Sequence, residues 1–183
     1  MGDLILLRHG QTEWSQAGRH TGRTDIPLTA YGEQSARELA PALAKLTVAA
    51  VFTSPAQRAT RTAELAGLTR AEPDPDLWEW DYGGYEGQTT AQIRQEHPGE
   101  TVADVGHRAD RVLARVRPLL PGGDVVLVAH GHVLRVLTAR WLGLVPADGR
   151  LFLLDTGTVC VLGTEHGEPV ISSWNVPPEA TGD

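Results

Sequence analysis

Short apolar runs alternate along the chain with longer segments whose apolar residues recur at helical spacing. Residues 4–7 and 125–129 are apolar at every position, which is typical of strands buried on both faces of a parallel sheet. A further strand is predicted at 49–53. The alternation of strands with helices predicts an α/β fold, a three-layer α/β/α sandwich around a mostly parallel central sheet.

Capping residues and prolines set the predicted helix boundaries. Three helices are predicted to begin at side chains that can cap free backbone N–H groups: Thr29, Ser54 followed by Pro55, and Thr89 with Gln92 in a capping box. Pro41 is expected to kink or divide the first of these, which runs to about Lys45. Helical spacing over 102–119 predicts a long helix, and another follows the second apolar run up to Gly143.

The C-terminal part of the chain has the pattern of a hairpin. Alternating segments at 158–164 and 169–174 flank the turn sequence His166-Gly167-Glu168. A length of 183 residues fits one domain with a buried core. We therefore predict a single domain over 1–176 and a flexible tail over 177–183.

Two of the predicted strands deliver similar side chains to their carboxyl ends. Arg8, His9 and Gly10 follow the first strand, and His130-Gly131-His132 follows the second apolar run. Open α/β sheets bind ligands at the carboxyl ends of their strands, so we expect one site that contains two imidazoles. An arginine beside them points to an anionic substrate.

Composition narrows the class of protein. The formal net charge of -7 disfavours a nucleic-acid partner, which needs a basic face. Asp3 interrupts a signal-peptide start and no apolar stretch is long enough for a bilayer, so no membrane partner and a cytoplasmic location are expected. Cys160, the only cysteine, is expected to be an inert core thiol. Lys45 is the only lysine, and no P-loop motif is present.

Five ordered motifs resemble those of the histidine phosphatase superfamily, the phosphoglycerate-mutase-like enzymes. The first is Arg8-His9-Gly10-Gln11-Thr12-Glu13-Trp14, and the others follow in the family's order at 21–29, 54–59, 77–87 and 129–132. The sequence of residues 79–87, together with Trp14-Ser15, is similar to that of the acid phosphatase and sedoheptulose bisphosphatase members. The resemblance implies a phosphoglycerate-mutase-like fold.

The resemblance also implies a role for each of five catalytic residues. His9 corresponds to the nucleophile that forms a phosphohistidine, and Glu79 to the proton donor. Arg8 and Arg58 would bind phosphoryl oxygens through their planar guanidinium groups. His130 corresponds to the second histidine, which donates to the transferring phosphoryl group. The implied reaction is hydrolysis of small phosphorylated metabolites by a phosphomonoesterase of the histidine acid phosphatase type, with no cofactor and no metal.

Other residues are expected to contact the substrate or to compete for these roles. Six form the expected substrate-binding set: Gln11, Ser15, Thr21, Gly22, Gly131 and His132. Ser15 stands where many family members have asparagine, and His132 fits a structural role equally well. Two carboxylates compete with Glu79 for the acid role, namely Asp81 and Glu86. The remaining four histidines are expected at the surface, with a reservation for the first, because it precedes the Thr21-Gly22 turn: His20, His97, His107 and His166.

Three alternatives to a phosphatase stay open. A cofactor-dependent phosphoglycerate mutase needs extra cationic groups and a lid, which the short 87–101 connection and the single lysine disfavour. A metal hydrolase is disfavoured because arginines beside the histidines would repel a cation. A non-catalytic phosphate- or phosphopeptide-binding module would require degraded catalytic positions, and all five are present. A homodimer is kept as an open expectation.

Overall fold

The computed structural model describes residues 2–89 and 99–178. Over these residues the strands and helices alternate as the sequence predicts. The strands are β1 Leu4–Arg8, β2 Val48–Thr53, β3 Glu72–Pro73, β4 Asp124–Ala129, β5 Val159–Glu165 and β6 Glu168–Val176. The α-helices are α1 Glu13–Gln16, α2 Ala30–Glu38, α3 Ala40–Leu43, α4 Gln57–Leu65, α5 Val102–Val116 and α6 Gly131–Trp141.

The strands form one mostly parallel sheet, which confirms the predicted fold class. Their order across the sheet is β3-β2-β4-β1-β5-β6. β1, β2, β3 and β4 are mutually parallel, whereas β5 and β6 run antiparallel at one side. The two apolar runs are neighbours at the centre, with Leu4 opposite Val125 and Arg8 opposite Ala129. The short edge strand β3 was not predicted from the sequence.

Each face of the central strands packs against its own layer of helices. Leu4 and Leu6 belong to the cluster that contains Val105 of α5, whereas Ile5 and Leu7 belong to the cluster that contains Ala59 of α4. Alternate side chains of a strand point to opposite faces, so both faces of β1 must be apolar. The continuous apolar runs in the sequence therefore follow from the three-layer arrangement.

Two of the predicted helix starts have clear outcomes. Thr29 caps α2, because its hydroxyl accepts from the backbone N–H of Gly32 at 3.0 Å. The helix then divides at Glu38, and α3 begins with Pro41 in its first turn, as expected. The prediction that Ser54 caps a helix is wrong, because α4 begins at Gln57 and the Ser54 hydroxyl contacts a histidine ring. Gln92, the partner in the third predicted cap, lies outside the described residues.

The later elements agree with the sequence except at one helix end. The N-cap of α5 is Thr101, and α5 ends at Val116 and continues as a 3₁₀ turn, because Pro118 cannot continue the α-helical hydrogen bonds. The hairpin β5–β6 turns at His166 and Gly167, both with positive φ. In the part of the chain that the structure describes, no helix is both long enough and apolar enough to cross a membrane. The predicted domain limits at 176 and 177 stay a prediction.

Candidate active site

The carboxyl ends of three neighbouring parallel strands meet at one edge of the sheet. β1 ends in Arg8 and is followed by His9, Ser54 follows β2, and His130 follows β4. A cleft of about 190 Å³ opens above this edge and is lined by Arg8 and His9 together with Glu79 from the long β3–α5 connection. The sequence prediction that both strand ends build one site agrees with this geometry.

The side chain of His9 is buried and has one fixed orientation. Its Nδ1 lies 2.7 Å from the carbonyl oxygen of Gly10, which can only accept, so Nδ1 carries the ring hydrogen. Thr62 of α4 holds Gly10 as well, because its Oγ1 accepts from the Gly10 N–H at 3.0 Å. Burial, followed by the charges of Arg58 and Arg8, holds the pKa of His9 well below its ordinary value of 6.5. His9 is therefore a neutral imidazole with the lone pair on Nε2.

His130 packs against His9 at the centre of the site, with the ring centroids 5.1 Å apart. Its Nδ1 accepts from Nε of Arg58 at 3.2 Å, and its Nε2 lies 2.7 Å from the hydroxyl of Ser54. Burial, followed by the charge of Arg58, lowers the pKa of His130 well below 6.5. Nδ1 accepts, so the neutral ring carries its hydrogen on Nε2; direct donation to a phosphoryl oxygen stays a prediction, and it requires that the phosphate replace the Ser54 contact.

Arg58 is fully buried in the first turn of α4 and holds the loop over 21–25. Its terminal nitrogens donate to the carbonyl oxygens of Gly22 and Thr24, each at 3.0 Å. Glu86 holds the same loop from the opposite side and accepts from the backbone N–H groups of Arg23 at 2.6 Å and Thr24 at 2.8 Å. A guanidinium has five N–H groups, so Arg58 keeps donor capacity for a phosphoryl oxygen.

Arg8 lies against the start of α6. One terminal nitrogen donates to the carbonyl of Leu154, and its buried Nε has no hydrogen-bond partner among the described residues. A Cβ at Gly131 would lie 3.2 Å from the central carbon of this guanidinium, so glycine gives Arg8 the space it occupies. Burial lowers the pKa of Arg8, and the negative charge of Glu79 opposes that shift.

Glu79 is bound to the first turn of α6. Its Oε1 accepts from the backbone N–H groups of Trp80 at 2.9 Å and Val133 at 3.0 Å, and its Oε2 accepts from His132 N–H at 3.0 Å. The positive end of the helix dipole at the N-terminus of α6 favours a negative charge beside it. Oε2 accepts a single backbone bond, so it keeps a lone pair without a backbone partner, and Glu79 lines the cleft.

A buried arginine that the sequence analysis missed holds the segment around Glu79. Arg108 of α5 donates to both carboxylate oxygens of Glu100, at 2.5 Å and 2.6 Å. It also donates to the carbonyl oxygens of Asp76 and Trp78, each at 2.7 Å. The backbone that carries Glu79 is therefore fixed to α5 through one guanidinium.

The outer wall of the cleft contains a cluster of aromatic rings. The Tyr82 hydroxyl lies 2.6 Å from Nδ1 of His132, and burial raises the pKa of Tyr82 well above 10, so the phenol is neutral. His20 packs on Tyr82 with the ring centroids 4.8 Å apart. The reservation for His20 was justified, since it lines the cleft, whereas His107 and His166 are exposed as expected. His97 lies outside the described residues.

The structure divides the predicted substrate-binding residues into two groups. Four of them line the cleft: Ser15, Thr21, Gly131 and His132. Gln11 does not, because its side-chain oxygen accepts from the hydroxyl of Thr29 at 3.0 Å, and Gly22 faces Arg58 instead. The hydroxyl of Ser15 is already engaged with Thr12 in the capping box of α1.

Two arginines in the cleft were missed by the sequence analysis: Arg19 and Arg135. Arg135 follows His132 by three positions on α6, so helical periodicity could have placed it on the same face. Among the described residues, no three His, Cys, Asp or Glu side chains are grouped so that they could hold a metal ion. Cys160 is a buried thiol, and burial raises its pKa to about 11.

Comparison with known proteins shows which family the chain belongs to. Residues 4–177 match the histidine phosphatase superfamily (branch 1), so the chain belongs to that superfamily and is a phosphatase of it. It is 42% identical over 177 residues to an acid phosphatase of Mycobacterium tuberculosis, covering 90% of this chain and 87% of that protein. It is 35% identical to sedoheptulose 1,7-bisphosphatase of Saccharomyces cerevisiae, covering 76% of this chain and 67% of that protein.

A solved structure supports the same conclusion at the level of the fold. The structure of a functionally characterised open reading frame of Mycobacterium tuberculosis superposes with a TM-score of 0.92 at 39% identity. The superposition covers 97% of this chain and 98% of that one. The six-stranded sheet and its layers of helices are thus those of the phosphoglycerate-mutase-like proteins.

The buried ion pair of Arg108 predicts a large loss of folding stability when Arg108 is replaced, and only a small loss when the exposed Arg111 is replaced. Arg108→Gln leaves the Glu100 carboxylate without its partner, so the free energy of unfolding should fall by about 3–5 kcal/mol. Turnover should fall as well, because the Glu79 segment loses its anchor. Arg111→Gln, one turn further along α5, breaks an exposed pair with Asp76 and should cost at most about 1 kcal/mol. Urea unfolding of both variants measures the difference, and equal losses would contradict the anchoring role.

The two buried neutral imidazoles predict acid-sensitive stability. As the pH falls below about 6.5, His9 and His130 take up protons in the unfolded chain but not in the folded one. The free energy of unfolding should therefore fall with decreasing pH, by up to about 1.4 kcal/mol per pH unit for each imidazole. Urea unfolding between about pH 5 and 7 should show that the unfolding free energy changes less steeply with pH in His9→Asn than in the wild-type protein. His166→Asn, at an exposed turn, is the control, and equal slopes in all three proteins would refute the explanation.

Proposed function

We propose that this protein hydrolyses phosphomonoesters of small metabolites through a phosphohistidine on His9. The observation that carries the proposal is the state of that imidazole: neutral, with Nδ1 bound to the Gly10 carbonyl and Nε2 carrying the lone pair. Arg8 and Arg58 lie close enough for their charges to lower its pKa, so an anionic phosphoryl group at Nε2 would be stabilised by both.

In the first step, the Nε2 lone pair of His9 attacks phosphorus in line with the ester oxygen. The N–P bond forms while the P–O ester bond breaks, and the bonding electrons move to the leaving oxygen. Glu79 gives its proton to that oxygen, so an alcohol leaves and a carboxylate remains. Arg8 and Arg58 balance the charge on the phosphoryl oxygens, with His130 held between Arg58 and Ser54.

In the second step, water attacks the phosphohistidine. The Glu79 carboxylate accepts a proton from the water as the O–P bond forms. The N–P bond breaks, its electrons return to Nε2 of His9, and inorganic phosphate leaves. Glu79 is then protonated and His9 neutral, so the site is ready for another substrate and no cofactor is consumed.

We assign the protein to the acid phosphatase type within the superfamily. The similarity to an enzyme named acid phosphatase supports this assignment, and so does the depressed pKa of His9, which keeps the nucleophile unprotonated under mildly acidic conditions. A cytoplasmic location belongs to the same proposal, because a single buried cysteine and metabolite substrates fit that compartment. The predicted homodimer also stays a proposal.

The nucleophile is tested by substitution and by chelation. His9→Ala should abolish turnover of an aryl phosphate, because the proposed phosphohistidine forms on Nε2 of that side chain. An acid-labile phosphoryl group should be trapped on the wild-type protein but not on the variant. EDTA should leave the rate unchanged, and complete loss of activity on chelation would overturn a metal-independent mechanism.

The role of Glu79 is tested by the quality of the leaving group. Glu79→Gln keeps the shape of the side chain but removes the proton, so phosphoryl transfer from an alkyl phosphate should slow by about 10²–10⁴-fold. A nitrophenolate leaves without needing a proton, so its transfer step should change far less. Burst kinetics separate this step from dephosphorylation. Equal losses for both leaving groups would move the acid role to another residue, with Asp81 and Glu86 the next to test.

Hydrolysis and isomerisation are separated by product analysis. The protein is incubated with 3-phosphoglycerate and a 2,3-bisphosphoglycerate primer, and both phosphate and 2-phosphoglycerate are measured. We expect phosphate to form faster, since the single lysine and the short 87–101 connection disfavour retention of a bisphosphorylated intermediate. Efficient interconversion with little free phosphate would instead assign the protein as a mutase.

A further inference from the structure

We propose that Asn175, near the C-terminal end of β6, is a positioning residue that holds the loop over 154–158 and, through this loop, the guanidinium of Arg8. This inference rests on the proposed function, because it concerns an arginine that would bind the phosphoryl group. It assigns a role in the site to a residue of the C-terminal strand, which contributes no side chain to the cleft.

The first observation is the backbone of Asn175. Its φ is 58°, in the left-handed region that residues other than glycine rarely adopt. A bulge lies here in β6, where Val159 of β5 pairs with Val176. Two residues further along β5, Val161 pairs with Ser173, which lies three residues back along β6. Bulges of this kind redirect a side chain, and the contacts of the Asn175 amide show where it is directed.

The second observation is that the side-chain amide of Asn175 contacts both ends of the segment 155–158. Its Oδ1 accepts from the backbone N–H of Asp155 at 2.7 Å, and its Nδ2 donates to a carboxylate oxygen of Asp155 at 2.8 Å. The Thr158 hydroxyl lies 2.9 Å from the same Oδ1 and 2.8 Å from the Asp155 carbonyl oxygen, so its single hydrogen lies between two acceptors. We call these contacts the Asn175 clamp.

The third observation is that the same loop holds the end of β1. The Leu154 carbonyl accepts from a terminal nitrogen of Arg8 and is the one hydrogen-bond partner of that guanidinium among the residues that the structure describes. The N–H of Gly157 donates to the carbonyl oxygens of Arg8 at 3.1 Å and His9 at 3.0 Å. The loop therefore fixes the Arg8 side chain through a carbonyl, and the backbone of Arg8 and His9 through an N–H group.

The fourth observation is the charge that the clamp orients. Burial lowers the pKa of Arg8, and the carboxylates of Glu79 and Asp155 oppose that shift. Asp155 therefore lies within electrostatic reach of the guanidinium, and its carboxylate is held by Nδ2 of Asn175. Asn175 thus orients a charge that acts on Arg8 as well as the loop that binds it.

The bulge by itself does not account for the amide of Asn175. A left-handed backbone needs only a residue that tolerates positive φ, and glycine does so without strain. Asparagine adds the amide, and both of its polar atoms contact the loop. Asn175→Gly therefore removes the clamp and leaves the backbone conformation accessible.

The loop is tested first, by amide hydrogen exchange. Exchange of the Gly157 N–H, followed by NMR, should become faster in Asn175→Gly, because the loop opens more often without the clamp. His166→Gly is the matched control, since His166 also has a positive φ, 52°, in the turn of the same hairpin. That turn lies beyond the amino end of β1, on the side away from the cleft, so the exchange rate should stay unchanged.

The consequence for Arg8 is measured as the dissociation constant of inorganic phosphate, by isothermal titration calorimetry. We expect this constant to rise roughly 3- to 10-fold in Asn175→Gly, about the net value of one hydrogen bond, and to stay unchanged in His166→Gly. The KM for nitrophenyl phosphate should rise as well. A mere loss of folded protein would lower the apparent kcat and leave both constants unchanged, so these readouts separate positioning from stability.

Thr158→Val tests the same clamp from the loop. It removes the hydroxyl that contacts Oδ1 of Asn175 and keeps the volume of a buried side chain. We expect the dissociation constant of phosphate to rise by a smaller factor than in Asn175→Gly. If circular dichroism shows that Asn175→Gly does not fold, Thr158→Val decides, and an unchanged constant there would overturn the inference.

The outcomes separate this inference from the proposed function. An unchanged phosphate constant or an unchanged Gly157 exchange rate in folded Asn175→Gly would overturn the positioning role and leave the phosphomonoesterase. Phosphate binding that depends on Asn175, without hydrolysis of any phosphomonoester, would support the positioning role and overturn the proposed function. Absence of phosphate binding by the wild-type protein would overturn both.

Discussion

The hydrogen bond from Nδ1 of His9 to the carbonyl of Gly10 is the interaction on which the proposed chemistry depends. It fixes the tautomer and leaves Nε2 with the lone pair, and Thr62 holds the same glycine through its backbone N–H. Burial and the two neighbouring guanidinium groups keep the ring neutral. In the proposed mechanism, this backbone group orients the His9 ring as the nucleophile.

Backbone carbonyl groups hold Arg8, Arg58 and Arg135 in place, and Arg58 also has a terminal nitrogen 4.0 Å from a carboxylate oxygen of Asp25. Arg58 donates to the loop carbonyls of Gly22 and Thr24, Arg8 to that of Leu154, and Arg135 to those of Gly149 and Arg150. A carbonyl satisfies a donor but leaves the positive charge available to an incoming phosphate. Arg108 does not line the cleft. Its charge is neutralised by Glu100, and it anchors the backbone around Glu79.

The proposed acid, Glu79, and the proposed nucleophile, His9, lie on separate parts of the chain that one helix brings together. Glu79 accepts from backbone N–H groups in the first turn of α6, and that turn begins directly after His130. Gly131, the first residue of the helix, leaves space for the Arg8 guanidinium. The start of α6 therefore sets the positions of Glu79, His130 and Arg8 relative to one another.

The sequence by itself determined the layers of the fold and the chemical types in the site. Continuous apolar runs predicted buried parallel strands, because both faces of β1 and β4 are covered, and the motifs identified His9, Arg58 and Glu79 as candidates. Each of these signals lies within a short window, where local patterning and residue type are enough. Thr29 was recognised as a helix cap for the same reason.

The tertiary structure alone decided which side chains meet across long separations. It assigned the Ser54 hydroxyl to His130 rather than to a helix start and turned Gln11 toward Thr29. It also paired Arg108 with the backbone around Glu79. The residues in these contacts lie far apart in the chain, so no helix or strand periodicity relates them. The contacts form only when the helices pack on the sheet and bring the polar groups within hydrogen-bond distance.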